Sequence, residues 1–251
     1  MKKLSLGILV LCLFTTSCSK FMNASDDDNI YKGMTAEQLN SSAHGALVAG
    51  EYSDAVKRYE ALDAMYPFSK YAESAQRDLI YAYYMKGEYA SAAATAERYI
   101  HLFPRSKEVD YAYYMKGLAN FNQPRGTFAK FLPLDISYRA PGSQVQAYSD
   151  FATLIKRFPD SKYRPNALQR MIFLRNTLAK RELNAANYYY KRQMYVAAAG
   201  RANYLIKTYS QAPQKQQALK ILYESNKKLG LMDAAHDAQT VYEATYHSNI
   251  A

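Results

Sequence analysis

Tyr81-Ala82-Tyr83-Tyr84-Met85-Lys86-Gly87 runs directly into Glu88-Tyr89, and both parts of this stretch occur elsewhere in the chain. The heptapeptide returns whole at Tyr111 to Gly117. The triplet Gly87-Glu88-Tyr89 has a copy at Gly50-Glu51-Tyr52, 37 residues earlier. At the same interval Ala55 returns as Ala92, and Pro67 as Pro104. Repetition at a fixed period of this size marks an array of stacked supersecondary units. The residue types fit helices. Ala92, Ala93, Ala94 and Ala96 favour helix and let backbones approach. Gly50 and Gly87 can take the positive φ that ends a helix. Pro67, Pro104 and Pro159 stop the next one, since proline cannot continue it. Tyrosines at helical spacing, such as Tyr81 and Tyr84 or Tyr52 and Tyr59, fill the gaps between layers.

Composition narrows the classes. The 251 residues are 49% hydrophobic and 22% charged, which excludes disorder as the main state. Only 10 glycines and 8 prolines argue against a β-sandwich or barrel, which needs many turn residues. The 25 tyrosines, against 10 Phe and no Trp, read mostly as core or seam. The net charge of +10 is spread along the chain. That suits a solvated basic face or attraction to anionic envelope surfaces, and no nucleic-acid partner is expected.

The repeats resemble the tetratricopeptide unit, a helix–turn–helix with small residues at the helix contact, a Gly-acidic-aromatic turn and a closing proline. The first unit has Ala43, Gly50-Glu51-Tyr52, Ala55, Tyr59 and Pro67. In the second, Gly87-Glu88-Tyr89, Ala92 and Pro104 match, with Ile80 at the first small position. The third has Gly117, Ala147, Phe151 and Pro159, split by an insertion. A weaker fourth carries Ala186, Tyr189, Tyr195, Ala198 and Leu205, and a fifth Gly230, Ala235 and Tyr242. The expected fold is an all-α tetratricopeptide-repeat solenoid of about five units. N-terminal repeats are expected over 32–160 and C-terminal repeats over 161–251.

The start of the chain reads as export chemistry. Lys2 and Lys3 precede the apolar run Leu4 to Phe14, too short to span a membrane, then Thr15, Thr16, Ser17 and Cys18. This predicts a signal peptide over 1–17 and lipidation of Cys18, as in the lipobox of bacterial lipoproteins, with Thr15 where that pattern usually has Leu. Several acyl chains on one cysteine hold it to a membrane where one would not. Ser19 after the cysteine, in place of Asp, resembles outer-membrane sorting. Residues 18–31, with the run Asp26-Asp27-Asp28, read as a lipidated, solvated tether. No cysteine follows Cys18, so neither a disulfide nor a thiolate site is available beyond it.

Within unit three, Asn122 to Ser143 breaks the helical pattern with Pro124-Arg125-Gly126, Pro133 and Pro141-Gly142. Long insertions of this kind are often functional. Phe128, Phe131, Leu132 and Ile136 are costly to leave in water, so the segment either folds back or contacts a partner. Arg125, Lys130 and Arg139 would steer it toward an acidic one. The repeat register places His44, Leu47 and Val48, then Arg77, Tyr81, Tyr84 and Met85, on the wall lined by first helices. An aromatic and methionine groove with a cation suits an extended peptide carrying apolar and carboxylate groups, though the same residues could pack against a neighbouring helix. Arg201, inside the alanine-rich Ala197-Ala198-Ala199-Gly200 surroundings, is placed either to reach a partner carboxylate or to stand in solvent. His44, His101, His236 and His247 show no metal spacing, and no nucleotide-binding or hydrolase motif is present. No cofactor, metal or catalysis is expected.

Longer matches carry a family resemblance. Glu60-Ala61-Leu62-Asp63, Tyr66-Pro67-Phe68, Asp78 to Tyr84, Asp110-Tyr111, Tyr114-Met115, Gly117-Leu118 and Ser149-Asp150-Phe151 resemble the competence lipoprotein (BamD) family. In the insertion, Asp135, Ser137, Arg139 and Pro141 fit that family's charged loop, while Ile136 and Ala140 depart from it. The resemblance runs from about Tyr52 to Tyr246 and is strongest before Pro159. It implies a non-catalytic, lipid-anchored, periplasm-facing scaffold of outer-membrane β-barrel assembly. The implied partners are the barrel-forming assembly protein, accessory lipoproteins and unfolded outer-membrane proteins, whose C-terminal signals end in an aromatic residue and a free carboxylate. Arg77, Tyr81, Tyr84 and Met85 suit that signal, and Arg139 and Arg201 suit the partner subunit. The competing expectation is another repeat lipoprotein, an adaptor for pilus assembly or cell-wall enzymes.

Overall fold

The structure is a computed structural model that describes residues 30–123 and 142–250. Cys18, the tether up to residue 29 and the insertion residues Arg125, Lys130 and Arg139, with their apolar neighbours, lie outside the described residues. Ten helices occur among the described residues: α1 (Ala36–Val48), α2 (Tyr52–Met65), α3 (Ala72–Lys86), α4 (Tyr89–Leu102) and α5 (Val109–Asn122), then α6 (Gly142–Arg157), α7 (Arg164–Lys191), α8 (Tyr195–Thr208), α9 (Lys215–Lys228) and α10 (Met232–Tyr246). The fold is all-α, as the repeat pattern predicts. By internal contacts the chain divides into two compact units, one ending at Asp78 and the other starting at Leu79.

In the first unit α1 starts on a capping box. The Gln38 amide N–H donates to Thr35 Oγ1 at 3.2 Å, and the Thr35 N–H donates to Gln38 Oε1 at 2.9 Å. Leu39, Ala43 and Ala46 of α1 meet Ala55, Val56, Tyr59 and Leu62 of α2 in a sealed seam. Each large side chain fully buried there contributes about 1.5–3 kcal/mol. Arg58 donates to the Ser42 carbonyl at 2.9 Å, and the Tyr66 hydroxyl to the Met34 carbonyl at 2.6 Å.

In the second unit each helix packs on the next from α4 to α10, and α7 also touches α9. One core gathers Ile80, Tyr99, Leu118, Phe151, Leu154 and Leu174; a second gathers Leu178, Leu183, Leu205, Tyr209 and Ile221. The helix α7 feeds both. It runs 28 residues because Pro165 lies in its first turn and neither proline nor glycine follows before Lys191.

Two turn designs recur. After α1, α3, α7 and α9 the chain closes a Schellman motif. Its long bonds run from Glu51 N–H to the Ala46 carbonyl, Glu88 to Tyr83, Met194 to Tyr189 and Leu231 to Asn226, at 2.9–3.0 Å. Gly50, Gly87 and Gly230 supply the positive φ, at 79°, 84° and 74°. In the fourth repeat Gln193 does so at 60°. After α2, α4 and α6 the sequence reads aromatic-Pro-x-Ser-Lys, at Tyr66 to Lys70, Phe103 to Lys107 and Phe158 to Lys162. There the aromatic N–H reaches back four residues, and the next two bonds each span three. Tyr209-Ser210-Gln211-Ala212 makes the same turn with Ser210 at the proline position and Ala212 at the serine position.

A β-carbon in the left-handed region costs about 1–2 kcal/mol, of which the looser unfolded glycine chain takes back part. Gln193→Gly is therefore expected to stabilise the protein by about 0.5–1 kcal/mol and raise Tm by roughly 2–4 °C. Thermal melting followed by circular dichroism reads this directly. A lowered Tm would mean that the exposed Gln193 side chain holds the turn in some other way.

Candidate partner-binding site

Helix α3 carries the four residues that the repeat register assigns to a peptide groove, and the structure treats them differently. Arg77 belongs to the first unit. Its Nε and Nη2 donate to Asp78 Oδ1 at 2.9 and 2.8 Å. The same carboxylate accepts from the Tyr59 hydroxyl at 3.1 Å and lies 3.6 Å from His44 Nδ1. Burial, then the Asp78 charge, pushes the Tyr59 hydroxyl pKa well up, so it stays a donor. Arg77 is thus engaged within its own unit rather than aimed outward as a lone cation.

Tyr81, Tyr84 and Met85 belong to the second unit. Tyr81 and Met85 are 39% and 41% exposed. Tyr84 packs against the first core, its ring edge-on to Tyr89 at 5.5 Å, and its hydroxyl accepts from Asn122 Nδ2 at 2.7 Å. Another cation stands over a ring of α5. Arg170 of α7 lies 4.9 Å over the Phe121 ring, and its Nε donates to Asn166 Oδ1 at 2.8 Å. Asn166 Oδ1 also accepts from the Tyr114 hydroxyl at 3.0 Å. Phe173, 46% exposed, meets Phe121 edge-on at 6.0 Å. Burial pushes the Tyr84 and Tyr114 hydroxyls up in pKa, and the Arg170 charge opposes it at both. No carboxylate pairs with Arg170 among the described residues.

The second unit therefore presents a half-exposed aromatic cluster from α3, α5 and α7 around one arginine. The sequence reading missed Arg170 because nothing near it in the chain repeats. Its one signal is spacing: Asn166, Arg170 and Phe173 fall on one face of α7.

Arg201 of α8 is half-exposed, and its Nη1 donates to Glu182 Oε2 of α7 at 3.1 Å. Arg181 stands 3.9 Å from the other oxygen of Glu182. The buried Glu182 carboxylate thus already takes part of the charge that the sequence leaves to a partner carboxylate or to solvent. Among the described residues no three His, Cys, Asp or Glu side chains gather as a metal site, and no helix is long and apolar enough to cross a membrane.

The model of the YfiO family, described as an outer membrane lipoprotein, matches residues 32–241. This chain belongs to the YfiO family. The outer membrane protein assembly factor BamD of Neisseria gonorrhoeae is 37% identical over 246 residues, 98% of this chain and 92% of that protein. The protein of the same name from Vibrio cholerae is 36% identical over 228 residues, covering 91% and 92%. That from Xylella fastidiosa strain Temecula1 is 35% identical over 236 residues, covering 94% and 79%. Among solved structures, a tetratricopeptide repeat protein from Parabacteroides merdae is 13% identical, with a TM-score of 0.41, over 84% of this chain and 66% of that one. The YfiO match spans all but the end of α10, so the Arg170 cluster and the Arg201–Glu182 pair both fall inside it.

Proposed function

We propose that this chain is a non-catalytic scaffold of outer-membrane β-barrel assembly, anchored at the outer membrane by lipid on Cys18 and facing the periplasm. The observation that carries the reading is near full-length identity of 35–37% to proteins named outer membrane protein assembly factor BamD. Its partners in this reading are the barrel-forming subunit, accessory lipoproteins and the C-terminal ends of unfolded barrel proteins. Affinity capture of the full-length protein from gently solubilised membranes, with mass spectrometry, tests it. Recovery of a large outer-membrane barrel with repeated periplasmic domains supports it. Recovery of pilus or cell-wall proteins in its place overturns it.

The aromatic cluster is the candidate receiver of the substrate end. Tyr84, Phe121 and Phe173 offer ring faces and edges, and Arg170 offers a guanidinium edge that a carboxylate can take. Tyr81 and Met85 extend the same helix with exposed apolar surface. Arg170→Gln is expected to weaken a peptide ending in a free C-terminal Phe by about tenfold, the loss of one charge-assisted bond. Fluorescence anisotropy with labelled peptide measures this. The C-terminally amidated peptide should bind weakly to both proteins. Equal affinity of both proteins for the free acid would dismiss Arg170.

Arg139 and Arg201 stay as the proposed contacts to the barrel-forming subunit. Arg201→Gln is expected to reduce co-purification of that subunit several-fold while lowering stability by less than about 1 kcal/mol, since the Glu182 pair is half-exposed on the arginine side. An unchanged complex would remove Arg201 from the interface.

A further inference from the structure

Four loops among the described residues fold as the same turn, so their tips can be compared position for position. The third residue of the turn is Phe68 after α2, Arg105 after α4, Asp160 after α6 and Gln211 after α8. All four are exposed, and Phe68 is 99% exposed. Three polar residues serve the same backbone, so the turn does not require phenylalanine. Packing does not require it either, since the ring is bare. A single apolar residue at a surface is ordinary, but here it stands at one tip out of four. The place of that tip in the chain supplies a reason. It belongs to the first unit, the one joined to the N-terminal segment. Tyr66, which opens the turn, donates its hydroxyl to the Met34 carbonyl at 2.6 Å. The turn is thereby pinned close to where the described chain begins, and Ile30 there is 70% exposed. Twelve residue steps lead back from Ile30 to Cys18, a reach of about 40 Å at full stretch. An acylated Cys18 would hold a bilayer within that range. A contact too weak to form from solution is then populated, because the tether raises its effective concentration.

We propose that Phe68 inserts into the headgroup boundary of a phospholipid bilayer, giving the first unit a second membrane contact beside the lipid on Cys18. The proposal rests on the lipid-anchor reading above. Phenylalanine is one of the residues that enter this boundary, where its ring leaves water without crossing the membrane. Lys70 is exposed two residues after Phe68, its Nζ 4.9 Å over the Tyr71 ring. Lys32 is exposed two residues after Ile30. Both have long stems that let the ammonium stay with lipid phosphates while the apolar side chain goes deeper. Exposed Glu37 and the run Asp26-Asp27-Asp28 offset these cations, so apolar insertion rather than charge carries the contact. The contact fixes which face of the first unit meets the membrane, which a tether by itself leaves open. The Arg170 cluster lies in the second unit, so the two sites stand or fall separately.

The chain contains no tryptophan, so Phe68→Trp places a single fluorophore at the tip. The full-length protein, purified from membranes with its native N-terminus, is reconstituted in vesicles of phosphatidylethanolamine and phosphatidylglycerol. Arg105→Trp and Asp160→Trp put the same fluorophore on the same turn elsewhere. The expected result for Phe68→Trp is a blue-shifted emission, quenched by lipids brominated on their acyl chains and unchanged at high salt. The two controls should emit as in water and escape that quenching. Emission of Phe68→Trp indistinguishable from the controls overturns the proposal. A blue shift without vesicles that grows with protein concentration overturns it too, since a second copy then covers the ring. So does a shift that appears only when the barrel-forming subunit is added. Mass spectrometry of the N-terminal peptide tests the anchor reading separately. If Cys18 carries no lipid, that reading fails, and the chain is held on the same vesicles by an N-terminal histidine tag and a nickel-chelating lipid. A blue shift there upholds insertion of Phe68, and its absence overturns it.

Discussion

Asp150→Ala is expected to lower the unfolding free energy by about 3–5 kcal/mol, the usual cost of removing one partner from a buried charged cluster. Asp150 is 4% exposed on α6. It accepts from Asn120 Nδ2 at 2.7 Å and Gln146 Nε2 at 3.0 Å, and Lys116 Nζ stands 3.2 Å away. Lys116 also binds Glu97 of α4. Burial works against the Lys116 charge, yet these two carboxylates hold its pKa above the ordinary value. Lys116 in turn is the chief cause of a lowered Glu97 pKa. One ammonium thus joins α4, α5 and α6. Without Asp150, Lys116 keeps only Glu97, and the buried Asn120 amide loses an acceptor. Urea denaturation reads the loss as a lowered midpoint at unchanged slope. The double variant Lys116→Met with Asp150→Leu should lose much less than the sum of its parts, because it removes both charges together. A loss under about 1 kcal/mol for Asp150→Ala would mean that water solvates the remaining ammonium.

Gly117→Ala is expected to destabilise the protein by about 2 kcal/mol, although alanine is the better helix former by about 1 kcal/mol. A β-carbon at Gly117 would stand 2.6, 2.8 and 3.1 Å from Cε1, Cδ1 and Cζ of Phe151. That ring is fully buried on α6, with Tyr114 at 6.4 Å between centroids and Ala147 and Leu154 in the same core. It has no room to turn aside, so α5 and α6 must part. The second-site variant Phe151→Leu should absorb the methyl, making Gly117→Ala nearly neutral in that background. Denaturant midpoints of the four proteins measure the coupling. If the single variant were stabilised by the full helix-propensity gain, the close approach of the two helices would be refuted.

The repeat-bearing residues made the helix boundaries legible. Gly50, Gly87 and Gly230 end helices because left-handed backbone favours glycine, a local property that sequence carries. Ala43, Ala55, Ala92, Ala147, Ala198 and Ala235 are buried because small residues are needed where helices cross. In the fourth repeat Gln193 stands where the first, second and fifth have glycine, yet the turn is the same. There the packing of α7 against α8 overrides a local preference of about 1–2 kcal/mol.

The candidate site was legible only in part. Tyr84 and its neighbours were in view from the repeat, with Arg77 expected as their cation. The adjacent Asp78 takes that cation, at 2.8 Å. Arg170 stands over the Phe121 ring from a helix well over forty residues further on, and no local pattern encodes that distance.

The two copies of Tyr-Ala-Tyr-Tyr-Met-Lys-Gly mark the boundary between the kinds of information. By itself the sequence determined that both are helical, amphipathic and part of a repeat, since spacing and propensity act within a few residues. Tertiary structure alone decided the rest. Gly87 ends α3 at φ 84°, whereas Gly117 sits inside α5 against Phe151. Met85 is 41% exposed and Met115 only 4%. Lys86 pairs with the nearby Glu88 at the surface, while Lys116 is drawn into the cluster with Glu97 and Asp150. Identical residues diverge because their burial and partners come from other helices, and those contacts are set by packing across the chain rather than along it.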